Sequence, residues 1–457
     1  MTLRRSAGAL AGALLLAAAL PCRAGEAGPS PQDEVLRRLE EQDRRIRDLE
    51  RRLTESESRA AAAGAPSPAA IDEAVARYLA EDGRAADGSG DRSYLVGSVE
   101  RPSSDRFHFG GYFSMVYRSP DDPETEPAFD QHRLITQFSF DISPGIEFAT
   151  EIEYEGGGSG ASYLTNNYIL VEYAELRFDV AEAFVPRTGI VLVPFLRYNL
   201  YHDDPIWNLY DRPFTANRVF RASLQQPGVG AEGVLPLGDA GSLNYNAALT
   251  NGPDDGVTNA GWGGARQSFR TDNNDDKAFW ARLGAVPRLP LVDAADLGFS
   301  WTTGAMDSDG ADGSVRMTGW GLDGKVTKDR FDLLFEVARF DYDRPGSQDP
   351  ADFPRGTNGA FFQLDTRLLR GLPASDNGLV GPTSELILAL RWEYADTNDR
   401  VTGASPQDDS RALTVGLAFR FTPKTVVRLE RKMETTSFRE PASADHDQWL
   451  LSLSTYF

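Results

Sequence analysis

The chain has 457 residues, with 68 Asp and Glu against 47 Lys and Arg, a formal charge of −21. A nucleic-acid binder shows a basic stripe, so this balance excludes nucleic acid as a partner. Beyond the N-terminus no apolar run approaches the roughly 20 residues that a helix needs to cross a bilayer, which excludes helical spanning. With 43 glycines, one cysteine, 10% aromatics and many short alternating segments, the composition points to a large β structure and not to an α/β enzyme.

Arg4 and Arg5 precede an apolar stretch from Ala7 to Leu20 that breaks at Pro21 and reaches the small residues Ala24 and Gly25. This is the three-part pattern of a secretory signal, with cleavage expected after Ala24. Pro21 fits poorly before a lipid-modified Cys22, so a mature chain without cysteine is expected. Such a chain has neither disulfides nor thiolate metal sites to stabilise it, and needs a large hydrogen-bonded framework. Most of the acidity, a net −19, falls on residues 105–457.

From Gln32 to Ser56, Leu39, Ile46 and Leu53 lie seven apart, with Val35, Gln42 and Leu49 offset by three or four. That is a heptad seam with charged flanks, and Val35, Leu39, Ile46, Leu49 and Leu53 are its trimerisation candidates. A single helix with so narrow an apolar stripe is marginal in water, so the seam calls for partner chains; a solvated lone helix is the plainer reading. The run AAAAGAPSPAA ends it, a short helical segment follows near Ile71–Leu79, and DGRAADGSGDRS reads as a linker. The expected organisation is a signal peptide (1–24), a periplasmic coiled coil with linker (25–104) and a barrel (105–457).

Beyond Asp105 the hydrophobic period changes to two. In DRFHFGGYFSMVYR, Phe107, Phe109, Phe113, Met115 and Tyr117 share one parity. HRLITQFSFDI sets Leu134, Phe138, Phe140 and Ile142 against Arg133, Gln137, Ser139 and Asp141, and Ser143-Pro144-Gly145 turns the chain. IEFATEIEYE then sets Ile146, Phe148, Ile152 and Tyr154 against Glu147, Glu151, Glu153 and Glu155. One apolar and one polar face per strand describes a membrane barrel with a wet interior. Further strands are expected near 166–180, 186–195, 228–237, 241–250, 276–286, 295–304, 316–327, 329–341, 358–369, 384–395, 409–422, 424–434 and 446–457, sixteen in all. An even count suits a single-chain outer-membrane barrel, with short turns toward the periplasm and long acidic loops outside. Parity changes near Ala174, which suggests a bulge, and the connection from Gly371 to Ser384 is long for a periplasmic turn. The fold expected is an all-β membrane protein, a 16-stranded antiparallel transmembrane β-barrel with an N-terminal periplasmic coiled-coil helix.

Over residues 105–457 the chain resembles outer-membrane porins of the phosphate-selective porin O and P family and their relatives. The residues that carry the resemblance are FHFGGYFSMVYR, HRLITQFSFDISPGIEFATEIEYEGG, VLVPFLRYNLYHDDP with LYDRPF, GVGAEGVLPLG, LNYNAALTNG and the terminal WLLSLSTYF. The resemblance implies a homotrimeric channel in the bacterial outer membrane, in contact with outer-membrane lipid and lipopolysaccharide. Phosphate-selective members line their channels with lysines, whereas residues 105–457 contain only Lys277, Lys325, Lys328, Lys424 and Lys432, so phosphate selectivity is not expected.

A sixteen-stranded barrel is too wide for side chains alone to fill. The connection 196–227 is the third on the external side and the longest available to fold inward, with Arg197, His202, Asp203, Asp204, Trp207, Tyr210, Asp211, Arg212, Arg218 and Arg221 as pore-constriction candidates. Its aromatic and charged mixture suits a buried position better than a solvated one; an outward surface loop is the alternative. Glu147, Glu151, Glu153, Glu155, Arg391, Arg420 and Arg428 are the pore-wall candidates, and charge lining a pore sets ion preference. Equally, the glutamates have the distribution of an ordinary solvated strand face. Asp307-Ser308-Asp309-Gly310-Ala311-Asp312-Gly313 has calcium-like oxygen spacing but lacks the closing bidentate Glu, so no metal is expected. His108, His132, His202 and His446 are scattered and no catalytic motif appears, so neither an enzyme nor a cofactor is expected. The first reading is a passive diffusion channel for small hydrophilic solutes or ions, mildly cation-selective. The alternative is a structural anchor tethering the coiled coil to periplasmic partners or the cell wall.

Overall fold

The computed structural model describes residues 106–457, apart from 157–167, 255–256, 258–260, 263–270, 273, 307–314, 344–353, 376, 400–408 and 437–446. The signal peptide, the heptad seam, the 307–313 acidic loop and His446 lie outside the described residues.

Sixteen antiparallel strands form a closed barrel. In chain order they are β1 (Phe107–Pro120), β2 (Ala128–Ser143), β3 (Ile146–Glu155), β4 (Tyr168–Phe178), β5 (Val185–Leu192), β6 (Gln225–Pro236), β7 (Gly241–Thr250) and β8 (Ala278–Pro287). They continue as β9 (Ala294–Ala305), β10 (Arg316–Lys328), β11 (Phe331–Asp343), β12 (Gly356–Arg370), β13 (Glu385–Asp396), β14 (Asp409–Thr422), β15 (Thr425–Thr436) and β16 (Gln448–Tyr456). Every strand pairs with its sequence neighbours, and β1 closes on β16 from Tyr112↔Tyr456 to Pro120↔Gln448. Closure leaves no unpaired edge, which the hydrocarbon of a bilayer requires.

The side-chain distribution is inside out, because the two strand faces meet different solvents. Along β13, Leu390 and Trp392 stand outward and half exposed, while Arg391 and Glu393 between them are buried inside. Along β16, Trp449, Leu451 and Leu453 face out and Ser452 and Ser454 face in. A water-soluble protein would bury the leucines and expose the charges; a barrel in lipid does the reverse.

Short connections gather at one end of the barrel, as at Ser143–Ile146 and Thr422–Thr425, and long ones at the other. The connection from Gly371 to Ser384 belongs to the short-turn end. It is accommodated because it prolongs its hairpin, with Gly371 N–H donating to Ser384 O at 3.0 Å, Leu372 N–H to Gly381 O at 3.1 Å and Ser375 N–H to Val380 O at 2.9 Å. The bulge lies two residues before the position that parity suggests. Glu151 stands opposite Tyr173 and Ile152 opposite Val171, so Glu172 is the extra residue. A bulge re-aims side chains, and here both Glu172 and Tyr173 are buried.

Candidate functional site

The segment 193–224, between β5 and β6, turns in from the long-loop end and makes its contacts with inward-facing wall side chains. It carries one helical turn at Arg197–Leu200, a 3₁₀ turn at Asp204–Ile206 and a π turn at Thr215–Val219. Asn199 ties its neck, its amide donating to Val193 O at 2.7 Å while its Oδ1 accepts from Leu224 N–H at 2.9 Å.

Wall carboxylates receive the segment's backbone donors, which a run of irregular chain away from water must place somewhere. Glu336 of β11 accepts from Tyr198 N–H at 2.6 Å, Glu393 of β13 from Phe214 N–H at 2.9 Å and Glu430 of β15 from Tyr210 N–H at 2.5 Å. Wall cations meet its acceptors. Arg133 of β2 donates to Asp204 at 2.9 Å, and Asp211 sits between Lys432 of β15 at 3.0 Å and Arg118 of β1 at 3.2 Å. Tyr456 of β16 donates to Asp203 at 2.9 Å. His202 meets Glu172 of β4 at 2.7 Å, and Tyr210 OH lies 2.6 Å from His132 Nδ1. Partners on β1, β2, β4, β11, β13, β15 and β16 mean that the segment reaches across the interior.

Burial and neighbours separate its three aspartates. Burial pushes the Asp203 carboxyl up to about 6, against the opposing pull of His202 and the Tyr456 hydroxyl. Burial acts in the same sense on Asp204 and Asp211, but Arg133 beside the first and Lys432 with Arg118 beside the second hold both below the usual carboxylate range.

The wall charges are arranged differently from a free stripe. In the β3 ladder, Arg133 Nε donates to Glu153 at 2.8 Å and to Glu155 at 2.9 Å, Gln137 donates to Glu151 at 2.9 Å, and Arg177 lies 3.7 Å from Glu147. Cross-strand neighbours on β2 and β4 therefore offset the acidity read along one strand. The loop arginines likewise do not project freely: Arg197 pairs with Asp296 and Arg218 with Glu434. Arg212 is half-buried, and Arg221 also has interaction partners.

At the long-loop end part of the interior is filled by an apolar cluster. Phe195 and Phe220 pack on Phe340 of β11 with ring centroids 5.0 and 5.9 Å away, and Trp262 from the connection after β7 closes over Phe340 at 4.9 Å. Trp262 Nε1 donates to Tyr342 OH at 2.6 Å. Aromatic packing of this kind excludes water from the polar groups beside it.

Sequence reasoning placed Asp203, Asp204, Trp207, Tyr210 and Asp211 in one inward segment, and the structure brings all five to the wall of β1, β2 and β14–β16. It passed over Arg133, Glu172, Glu336, Glu393 and Glu430. Each lies on the buried face of its strand, so polar residues of inward parity were the available signal.

No family model matches the chain. A curated protein of Aquifex aeolicus (strain VF5), described as uncharacterized, is 28% identical over 147 residues, 31% of each chain, so this chain spans about a third of the relative it matches. Among solved structures, Salmonella typhi OmpF in complex with daunomycin aligns with a TM-score of 0.51 at 11% identity, over 77% of this chain and 97% of that one. The outer-membrane channel DcaP of Acinetobacter baumannii aligns at 0.49 and 13%, over 79% and 100%, and an anion-selective porin from Comamonas acidovorans at 0.47 and 10%, over 77% and 99%. The likeness to OmpF establishes a porin-like fold.

Proposed function

We propose that the protein is an outer-membrane porin, a passive channel for small hydrophilic solutes or ions whose passage is set by the segment between β5 and β6. One observation carries this reading. Charged side chains line the interior of a sixteen-stranded barrel, and an irregular segment crosses that interior on contacts to strands as far apart as β2, β11, β13 and β15. A barrel that served only as an anchor needs neither. The segment's Arg197, His202, Asp203, Asp204, Trp207, Tyr210, Asp211, Arg212, Arg218 and Arg221 form the constriction in this reading, and Glu147, Glu151, Glu153, Glu155, Arg391, Arg420 and Arg428 the wall. The heptad seam would join three chains on the periplasmic side, and residues 1–24 would direct export.

A second reading, a structural anchor, has one observation in its favour: the wall charges are dry. Arg428, Glu430 and Glu393 have no exposed surface, whereas an open aqueous wall is wetted. Conductance in planar bilayers separates the two. Deleting Asp203 to Arg218 should raise conductance several-fold in a barrel that still folds, since the strand ladder is untouched. A folded deletion that conducts nothing favours the anchor.

A further inference from the structure

We propose that the segment from Leu196 to Ser223 is a latched strap that holds the barrel closed, gripped by Arg420 and Arg428, and that passage of solute requires its release. The proposal rests on the channel reading above and adds to it a closed state with a defined catch.

The catch is a pair of guanidinium groups on main-chain carbonyls. Arg428 is fully buried, and its hydrogen bonds go to neutral oxygens: Trp207 O at 2.9 Å, Asp204 O, Ser452 Oγ at 3.2 Å and Ser454 Oγ at 3.1 Å. Arg420 donates to Pro205 O at 2.8 Å, Ile206 O at 3.0 Å, Trp207 O at 3.3 Å and Asn208 Oδ1 at 2.9 Å. Together the two arginines hold the carbonyls of residues 204–207. A buried cation bound to neutral oxygens is costly compared with one bound to a carboxylate. On release, water or an entering anion satisfies the N–H groups that the strap's oxygens leave, so the grip is strong while seated and replaceable when open.

Steric seats continue the catch. Gly416 of β14 faces Leu209, and a Cβ there would collide with Leu209 Cδ2; Gly321 of β10 makes the same room for Leu196. The two ends of the strap are backbone outliers. Leu196 has φ 61° and ψ 157°, a region used almost only by glycine, and Ser223 has φ 54°. Among the described residues three non-glycine positions have positive φ, and two of them bracket this segment, the third being Asp329 in a tight turn. Strained positions at both ends, with the neck tied by Asn199, let residues between them move as one body once the catch is released.

Single-channel recording of the purified full-length protein in planar bilayers tests the latch. The wild-type channel should be closed most of the time. Arg420→Gln with Arg428→Gln should raise its open probability at least about tenfold, the shift that a net loss of about 1.4 kcal/mol produces, which is a small part of the six hydrogen bonds the two arginines make to the strap. Gly416→Leu should do the same with no change of charge, by evicting Leu209. If the arginine variant does not fold, the glycine variant still decides the matter. Barrels that are folded by gel mobility, with Gly416→Leu indistinguishable from a conducting wild type, overturn the latch and leave the channel reading standing. Folded barrels that conduct in no variant overturn the channel reading and the latch with it.

Discussion

Replacing Arg133 with Met asks whether the barrel interior is as dry as its packing indicates. Arg133 is 3% exposed and meets Glu153 at 2.8 Å, Glu155 at 2.9 Å and Asp204 at 2.9 Å, carboxylates whose side chains are 3%, 11% and 2% exposed. In a hydrated lumen these pairs would be screened, and the substitution would cost about 0.2–1 kcal/mol. In the packed interior it leaves three acidic groups without their cation, a situation that costs about 3–5 kcal/mol. The larger figure is expected. Urea unfolding of the barrel in detergent, read by tryptophan fluorescence and by gel mobility, gives the difference directly. Adding Glu153→Gln and Glu155→Gln to the Arg133→Met chain removes two of the acidic charges that lose Arg133 and should restore most of the loss, because the defect is the missing cation and not lost volume. A loss below about 1 kcal/mol with no rescue would mean that water screens the cluster. A strap seated in water in this way would not seal the barrel.

Three further outcomes are expected. Light scattering of the detergent-solubilised full-length protein should give a trimer, and a monomer at every concentration would reject the role assigned to Val35, Leu39, Ile46, Leu49 and Leu53. In a salt gradient the open channel should prefer cations only weakly, since Arg133 and Arg177 offset the β3 ladder, and Glu151→Gln with Glu153→Gln and Glu155→Gln should move the reversal potential toward anions; anion preference in the unmodified channel would mean that the arginines dominate. Conductance should fall between pH 7.5 and 5: Asp203, raised to about 6 when seated among His202, Glu172, Asp204 and Tyr456, takes up a proton there and favours the seated strap. Asp204 and Asp211 titrate below their ordinary value of 3.8, so an Asp203→Asn channel with the same pH dependence would refute this assignment.

The sixteen strands were legible because each lies between two different solvents, lipid outside and a polar interior within. That contrast imposes a strict two-residue period, as in Leu390, Trp392 against Arg391, Glu393, which any single strand displays without reference to its neighbours. The bulge was visible as a break in parity near Ala174, but its place at Glu172 depends on what Glu151 and Ile152 face across the ladder. The inward turn of the β5–β6 connection was suggested by Trp207 and Tyr210, which have little reason to meet water together.

What the segment touches was not legible. Arg428 and Asp204 are 224 positions apart, and Gly416 and Leu209 meet only when fifteen neighbouring pairings and the β1–β16 closure have set the circumference. A carboxylate ladder read along β3 looks like fixed negative charge, while in the barrel each member's effect depends on the side chain that the next strand brings to it, Arg133, Gln137 or Arg177. Periodicity is a property of one strand and its two environments, so the amino-acid order alone determines it. Charge pairing across a lumen is a property of register and curvature, and for Arg133, Arg420 and Arg428 only the closed barrel decided which acceptors lay within reach.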